Sequence, residues 1–283
     1  MDVTAPPWFV TGASTGIGRA VTEQLLAGGH RVAAPVRRPE SLADLGAAYP
    51  DLLWTAQLDV RDTAALRRVV DRAFENLGRV DVIFSNAGRG AFGAAEEMSD
   101  EAIDEQIAVT MTAPIHLLRA ALPHLRTQGG GRFIQNTTMG AQLSTPGGSL
   151  YHASKWGVEG FLESVIGEVE PLGVGITMVE PGMVRTGFSA AMALADGLDA
   201  YADTPVGQMR RYLEAPGGDL TAGALGDPVR VAAAIIASAA TTPAPRRIVL
   251  GSDAHAAIRG ALTDRIDELD AGKSLAASTD FPA

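Results

Sequence analysis

"FVTGASTGIGRA", residues 9–20, runs from a short apolar segment into a helix-period segment, with glycine at positions 12, 16 and 18. Glycines at that spacing let the backbone approach a pyrophosphate closely, and the helix that follows turns its free N–H groups and the positive end of its dipole toward the charge. Doubly wound α/β folds carry such a loop at their first strand-helix junction, which is where this one lies. An ordinary glycine-rich turn is the competing account, and the position of the loop argues against it. Gly12, Ser14, Thr15, Gly16, Ile17 and Gly18 are therefore the candidate phosphate-side residues.

The rest of the chain keeps the rhythm this loop starts. Short apolar runs at 8–12, 31–36, 52–60, 80–88, 131–138, 175–182 and 246–253 alternate with helix-period segments near 17–28, 62–77, 100–126, 151–170 and 227–240. That alternation predicts an α/β fold, a doubly wound parallel sheet with helices on both faces. Gly28-Gly29 and Gly78 stand where left-handed helix caps are wanted, and Asp227-Pro228 reads as an N-cap followed by proline at the first helical position. At 283 residues and 46% hydrophobic composition the chain can build one large core, so 1–283 is expected to form one domain. Residues 187–226 break the rhythm and are expected to be a loop-rich insert, and 270–283 a loose tail.

Charge and composition exclude several classes. A formal net charge of −10 offers no basic face to nucleic acid or anionic lipid. Without cysteine there is no disulfide, thiolate metal site or cysteine nucleophile, and the five histidines lack metal-ligand spacing, so no metal is expected. The start, "MDVTAPPWFV", has no basic or apolar leader pattern, and no apolar run approaches the roughly 18 residues of a membrane helix. The cytoplasm is the expected location.

At the end of the second predicted strand, "AAPVRRPE" places Val36, Arg37 and Arg38 where an acid would meet a free ribose 2′-hydroxyl. No carboxylate is there, and a guanidinium fork suits a 2′-phosphate, so the expected cofactor is NADP(H). Two solvated arginines are the alternative. Asp59, with Val60 beside it, ends the third predicted strand. It fits either an acceptor for an adenine amine or a helix cap before Thr63.

"YHASK", residues 151–155, puts Tyr151 and Lys155 one helical turn apart on one face. With "TGASTGIG" (11–18), "SNAG" (85–88) and "EPGMVRT" (180–186) in this order and spacing, the chain resembles a short-chain dehydrogenase/reductase. The resemblance implies a sheet of about seven strands, a nicotinamide dinucleotide, and hydride transfer between the nicotinamide and a carbonyl/alcohol pair. It implies that Tyr151 protonates the carbonyl oxygen. Lys155 would draw the phenol down from its usual value near about 10 and bond the nicotinamide ribose. Thr138 stands where the family usually has serine, and its hydroxyl would hold the substrate oxygen. Asn86, Ala87 and Gly88 would back the cofactor, a plain strand-ending turn fitting equally well. Pro181 and Gly182 would shape the loop after the sixth strand, and the Val184 backbone with the Thr186 hydroxyl would hold the nicotinamide amide.

The chain departs from the family at "AVTMTAP" (108–114), where Thr110 replaces the usual asparagine of the proton relay. Either the relay runs through Thr110 or another water, or the chain has moved to non-redox chemistry, such as a cyclase or isomerase on a bound nucleotide. The insert supplies Phe188, Met192, Leu194, Leu198, Tyr201, Met209, Tyr212 and Leu213, which fit a lid over an apolar substrate or simple packing within the insert. His152 leaves the helix in another direction from Tyr151 and is not expected to be catalytic. Relatives pair through the helices near 100–126 and 151–170, which implies a homodimer or homotetramer. The expected activity is NADP-dependent carbonyl reduction or alcohol oxidation on a largely apolar small molecule.

Overall fold

The computed structural model describes residues 5–281. In chain order it contains β1 (Trp8–Val10), α1 (Gly16–Ala27), β2 (Val32–Val36), α2 (Ala43–Ala48), β3 (Leu53–Gln57), α3 (Thr63–Leu77), β4 (Val82–Ser85) and β5 (Ala91–Phe92). Then follow α4 (Asp100–Ile107), α5 (Ala113–Thr127), β6 (Gly131–Asn136), α6 (Ser149–Val169) and β7 (Val174–Pro181). The chain closes with β8 (Ala193–Leu194), α7 (Pro205–Glu214), α8 (Pro228–Ala239), β9 (Arg247–Leu250), α9 (Ser252–Ala271) and α10 (Lys273–Ala277).

Seven strands form one parallel sheet in the order β3-β2-β1-β4-β6-β7-β9. Both faces are covered, which is why the inner strands read as unbroken apolar runs rather than alternating ones; all five residues of β2 are buried. Successive side chains still go to opposite faces. Phe9, Ile83 and Phe133 pack under α3, α5 and α6 with Leu117, Leu118 and Leu162. Trp8, Val10, Phe84 and Ile134 pack under α1 and α8 with Leu25 and Ile235. The chain winds outward from β1 to β3, then crosses to β4 on the other side of β1, so the strand order reverses beside the glycine loop. That crevice is where such sheets bind ligands.

The helix ends follow local chemistry. Asp227 accepts from Val229 N at 2.8 Å and Pro228 opens α8. Gly29 and Gly78 take positive φ (+79° and +74°), while Gly28 stays at −80°. The third helix is capped by Asp62, whose Oδ1 accepts from Ala65 N at 2.9 Å, so the cap reading of Asp59 falls away.

Three expectations need correction. The segment expected as one helix over 100–126 is broken by a π-helical turn at Ala108–Thr112. Residues 187–226 are less irregular than expected, since they hold β8 and α7. The tail expected to be loose from 270 is helical through Ala277, because α9 runs to Ala271 and α10 follows. Its last two residues, Pro282 and Ala283, lie outside the described ones. Among the described residues no helix is long and apolar enough to cross a membrane.

Candidate active site

The glycine loop is built around contacts that leave no room for side chains. Gly12 and Gly16 have φ of +67° and +56°, a region costly to other residues. A Cβ on Gly18 would lie 2.2 Å from Gly12 O and 2.4 Å from Asn86 Nδ2, and one on Gly12 2.8 Å from the same nitrogen. Thr15, the N-cap of α1, makes no side-chain cap bond, so the first N–H groups of α1 keep their donors turned to the loop. Ser14 and Ile17 are half-buried on the same turn, and Ile17 packs on the core beneath.

Asn86 ties the sheet's edge together at this point. Its Nδ2 donates to Thr11 O (3.1 Å) and Gly12 O (3.2 Å), and its Oδ1 accepts from Asn136 Nδ2 (2.9 Å). Thr11 Oγ1 accepts from the N–H groups of Asn86 and Ala87 at 2.9 and 3.0 Å. Gly88 continues the same turn. Thr11 and Asn136 were not singled out in the sequence, since only the fold sets them beside Asn86.

The loop after β7 closes from the other side. The side chain of Thr186 approaches Gly16, where a Cβ would be 3.4 Å from it. Pro181 ends β7, and at Gly182 a Cβ would stand 2.3 Å from both carboxylate oxygens of Asp253. Asp253 Oδ2 accepts from Met183 N at 2.8 Å and Val184 bridges to Gly226, which fixes the loop. At the far end, Arg37 and Arg38 are exposed just past β2 and neither guanidinium has an acid partner among the described residues. Asp59 lies two residues beyond β3, not at its last residue, and is already bonded to Arg61, Nη2 to Oδ2 at 2.7 Å. That bond, against a smaller burial effect, holds its carboxyl below the ordinary range. Val60 is half-buried beside it.

Tyr151 and Lys155 sit on the first turns of α6, facing β6. Lys155 Nζ lies 5.8 Å from the Tyr151 ring centroid and donates to Asn136 O at 2.9 Å. The Tyr151 hydroxyl stands near Thr138, whose side chain acts on the phenol, and Thr138 Oγ1 accepts from Gly140 N at 3.2 Å. Burial pushes the phenol up to about 12. Among the chain's own groups, burial acts upward on the phenol and the Thr138 side chain downward. Burial likewise brings Lys155 down to about 8, with Glu159 acting in the opposite sense.

Thr110 is brought near this pair but not into contact with Lys155. It is 1% exposed, inside the π turn, and its Oγ1 accepts from Gln106 Nε2 at 3.0 Å. The same nitrogen reaches Ser154 Oγ (3.2 Å), next to Lys155, and Arg89 O (3.2 Å). His152 turns away, as its position on the helix requires. Its Nε2 accepts from Thr145 N (3.1 Å), so Nδ1 carries the proton shared with Gly140 O (2.8 Å). It pins the 138–148 loop to α6.

Of the insert's apolar residues, Phe188 reaches the site, its ring 5.8 Å from that of Tyr151, and Met192 meets Phe188 over Gly90. Tyr201 and Leu213 pack with Met192 on Phe92, Ala94 and Val206. Leu194, Leu198, Met209 and Tyr212 are exposed. The insert is bound to the body by β8 pairing with β5, by Leu198 N to Glu97 Oε1 (2.9 Å), and by a buried Arg210–Glu97 ion pair.

A glycine loop at the switch point of a parallel sheet, with a tyrosine and a lysine across the crevice, defines an oxidoreductase of dinucleotide-binding type. The family model for short chain dehydrogenase matches residues 8–196, and the chain belongs to that family. It is 36% identical to a short-chain dehydrogenase from Streptomyces avermitilis of known structure, with a TM-score of 0.89 over 98% of this chain and 100% of that one. It is 29% identical to the oxidoreductase BOA17 of Botryotinia fuckeliana over 87% of this chain and 89% of that protein. A short chain dehydrogenase/reductase from Burkholderia phymatum, solved in complex with NAD, shares the fold at 24% identity and a TM-score of 0.77, covering 92% of this chain and 93% of that one.

Proposed function

We propose that the protein is an NADP-dependent carbonyl reductase or alcohol dehydrogenase acting on a medium-sized, largely apolar ketone or secondary alcohol. One observation carries the reading: Tyr151, with Thr138 near its hydroxyl, is set beside buried Lys155 at the crevice that the glycine loop opens.

The cradle fits a dinucleotide, since Gly12 and Gly18 leave bare backbone where any Cβ would collide and the N-terminus of α1 offers uncapped donors. Gly12, Ser14, Thr15, Gly16 and Ile17 would hold the pyrophosphate, Asn86 to Gly88 would back the nicotinamide half, and the Pro181–Thr186 loop would hold the amide. The fold alone does not choose between NAD and NADP, as the NAD-bound Burkholderia relative illustrates. The end of β2 supports NADP, because Arg37 and Arg38 are unpaired there and no acid stands at Val36.

When bound, NADPH supplies the hydride. The chain's own part is to handle the oxygen. Thr138 and Tyr151 together make a two-hydroxyl clamp for a carbonyl oxygen. A phenol raised to about 12 is fully protonated at neutral pH, the form a general acid needs for reduction. As the phenol gives up its proton, the Lys155 ammonium stabilises the phenolate left behind. Phe188 and Met192 close an apolar wall over Tyr151 and favour a substrate of matching character. Pairing of copies through α4, α5 and α6, as a dimer or tetramer, belongs to the same reading and is checked by sedimentation.

The test is to incubate the protein with NADPH and a panel of ketones and quinones while following absorbance of the reduced cofactor, with Tyr151→Phe in parallel. Oxidation that the variant abolishes supports the reading. A product formed without cofactor consumption would replace it with cyclase or isomerase chemistry.

A further inference from the structure

Behind Lys155 lies a charged cluster that the proposed reaction does not use. Glu159, one turn further along α6, is 3% exposed, and Glu180, near the end of β7, is 1% exposed. One nitrogen, Gln142 Nε2, stands 2.6 Å from Glu159 Oε2 and 3.1 Å from Glu180 Oε1. Arg247 of β9 sends Nε to Glu180 Oε1 (2.9 Å), Nη2 to Glu159 Oε2 (3.3 Å) and Nη1 to Glu163 at the rim. Arg265 of α9 donates to the backbone oxygen of Gln142 and stacks on Trp156 of α6, making no bond to either carboxylate.

The charges do not balance. Two buried carboxylates and a third at the rim share one guanidinium, and Glu159 Oε1 is buried without a hydrogen-bond partner. Buried carboxylates this close are costly to ionise together unless more positive charge is near. Two further cations stand by α6 there: Arg265, whose guanidinium stacks on the Trp156 ring at 4.4 Å, and Lys155, one turn from Glu159 on the helix itself. Lys155 spends its hydrogen bond on Asn136 O, so the two interact through space, in surroundings where fields are weakly screened.

We propose that Glu159, backed by Glu180, is a positioning residue for Lys155: the buried carboxylate pair holds the lysine in its ammonium form. Burial and Glu159 together push Glu180 up to about 7, against Arg247, so the pair gains negative charge as pH rises through neutrality. That range lies next to the value, about 8, to which burial brings the lysine with Glu159 already acting upward. The inference rests on the proposed function only in taking Lys155 as the cation of the catalytic pair.

Lys155 and Lys273 are the only lysines in the sequence, and Lys273 is exposed. Protein labelled with carbon-13 at lysine Cε therefore gives two signals, whose titration by NMR needs neither cofactor nor substrate. In Glu159→Gln the Lys155 midpoint falls by about half a pH unit or more, roughly a threefold change in ionisation constant. It falls by less in Glu180→Gln and stays in place in Glu163→Gln, with Lys273 unmoved throughout. A Lys155 midpoint in folded Glu159→Gln that coincides with the unmodified chain overturns the proposal. If that variant does not fold, Glu180→Gln decides in the same way. The alkaline limb of ketone reduction then follows the Lys155 midpoint downward in Glu159→Gln. Lack of any reduction by the unmodified chain would sink the proposed function while leaving the NMR result standing.

Discussion

Gln106 and Ser154, on helices 48 residues apart in sequence, meet in the interior at 3.2 Å, Nε2 to Oγ, and the same amide holds Thr110 and the Arg89 carbonyl. The amide thereby fastens the π turn of Thr110 to the turn of α6 that carries Lys155. Gln106 is fully buried and its Oε1 has no partner. Replacing it by leucine removes that orphan but strips three acceptors of their donor. A net loss of about 1 kcal/mol is expected in urea unfolding, smaller than the cost of a simple buried deletion. Turnover should fall several-fold while the KM for cofactor holds, because the tie acts on α6 rather than on the phosphate loop. A stability loss with unchanged turnover would show that the tie matters only to folding.

Gly18, in the first turn of α1, and Gly29, just past its end, should respond differently to alanine. At Gly18 the new Cβ meets Gly12 O at 2.2 Å, backbone that cannot yield without displacing the loop. Gly18→Ala is expected to cost about 3 kcal/mol and to abolish cofactor binding in a fluorescence titration. At Gly29 nothing lies within 4 Å, and only the φ of +79° opposes a side chain. About 1 kcal/mol is expected there, with binding unchanged.

These contrasts show what was legible in the sequence. The seven strands were readable because a sheet buried on both faces needs short, bounded apolar runs, and "RVAAPV" or "GITMVEPG" leaves little else to form. The glycine loop and the Tyr151/Lys155 spacing are local and equally plain. Helix α9 was not, since Ala254 and Ile258 are its only residues recorded as buried and 20 residues with so little core contact carry no stripe. Nor does "AVTMT" announce a π turn, which is tied by Gln106 to groups 17 and 48 residues away. Thr11, Asn136 and Asp253 stayed hidden for the same reason, as Asn136 meets Asn86 across 50 residues and Asp253 meets Met183 across 70. The direction of the Tyr151 shift depends on burial, which spacing does not disclose.

Glu180 makes stability depend on pH. Its carboxyl is raised to about 7, first by burial and then by Glu159, against Arg247 and Gln142. A carboxyl raised on folding favours the folded state while it is protonated. That contribution is complete below its unfolded value, near about 4.3, and is lost as pH climbs through about 7. Urea midpoints should therefore decline from about pH 5 to about pH 8, and Glu180→Gln should flatten the decline. A midpoint that rises over this range, with the variant parallel to it, would contradict the assignment.

Arg210 fastens the insert. Its guanidinium meets Glu97, a side chain with no exposed surface, which also accepts from Ala94 N at 2.7 Å and Leu198 N at 2.9 Å. Arg210→Met leaves that carboxylate without its cation, though the two N–H groups still hold it. The expected loss is therefore near the lower end, about 3 kcal/mol, of what a broken buried pair costs. Because α7 then loosens over Phe92 and Met192, the KM for ketone should rise more than kcat falls. Arg210→Met combined with Glu97→Gln should recover part of the stability. No recovery would mean that the guanidinium stem, not its charge, supports the insert.

Arg37 and Arg38 stand at the exposed end of β2, and their side chains bond nothing among the described residues; their backbone oxygens, by contrast, accept from Gln57 Nε2 (3.3 Å) and Ser41 Oγ (2.6 Å). The strand end is therefore fixed while both forks remain available. Asp59 is bonded to Arg61 and feels Arg37 only through space, as the smallest of the effects on its carboxyl. A 2′-phosphate meeting one fork in bidentate fashion gains about 1.5–3 kcal/mol over a bare hydroxyl. Arg37→Ala and Arg38→Ala together should thus weaken NADPH binding by ten- to a hundredfold, with NADH little changed. Calorimetry with each nucleotide checks this, repeated in higher salt, where the NADPH advantage should shrink because both groups are exposed. Equal weakening for both nucleotides would mean the arginines only attract negative charge toward the crevice, and unchanged NADPH affinity would place the 2′-phosphate elsewhere.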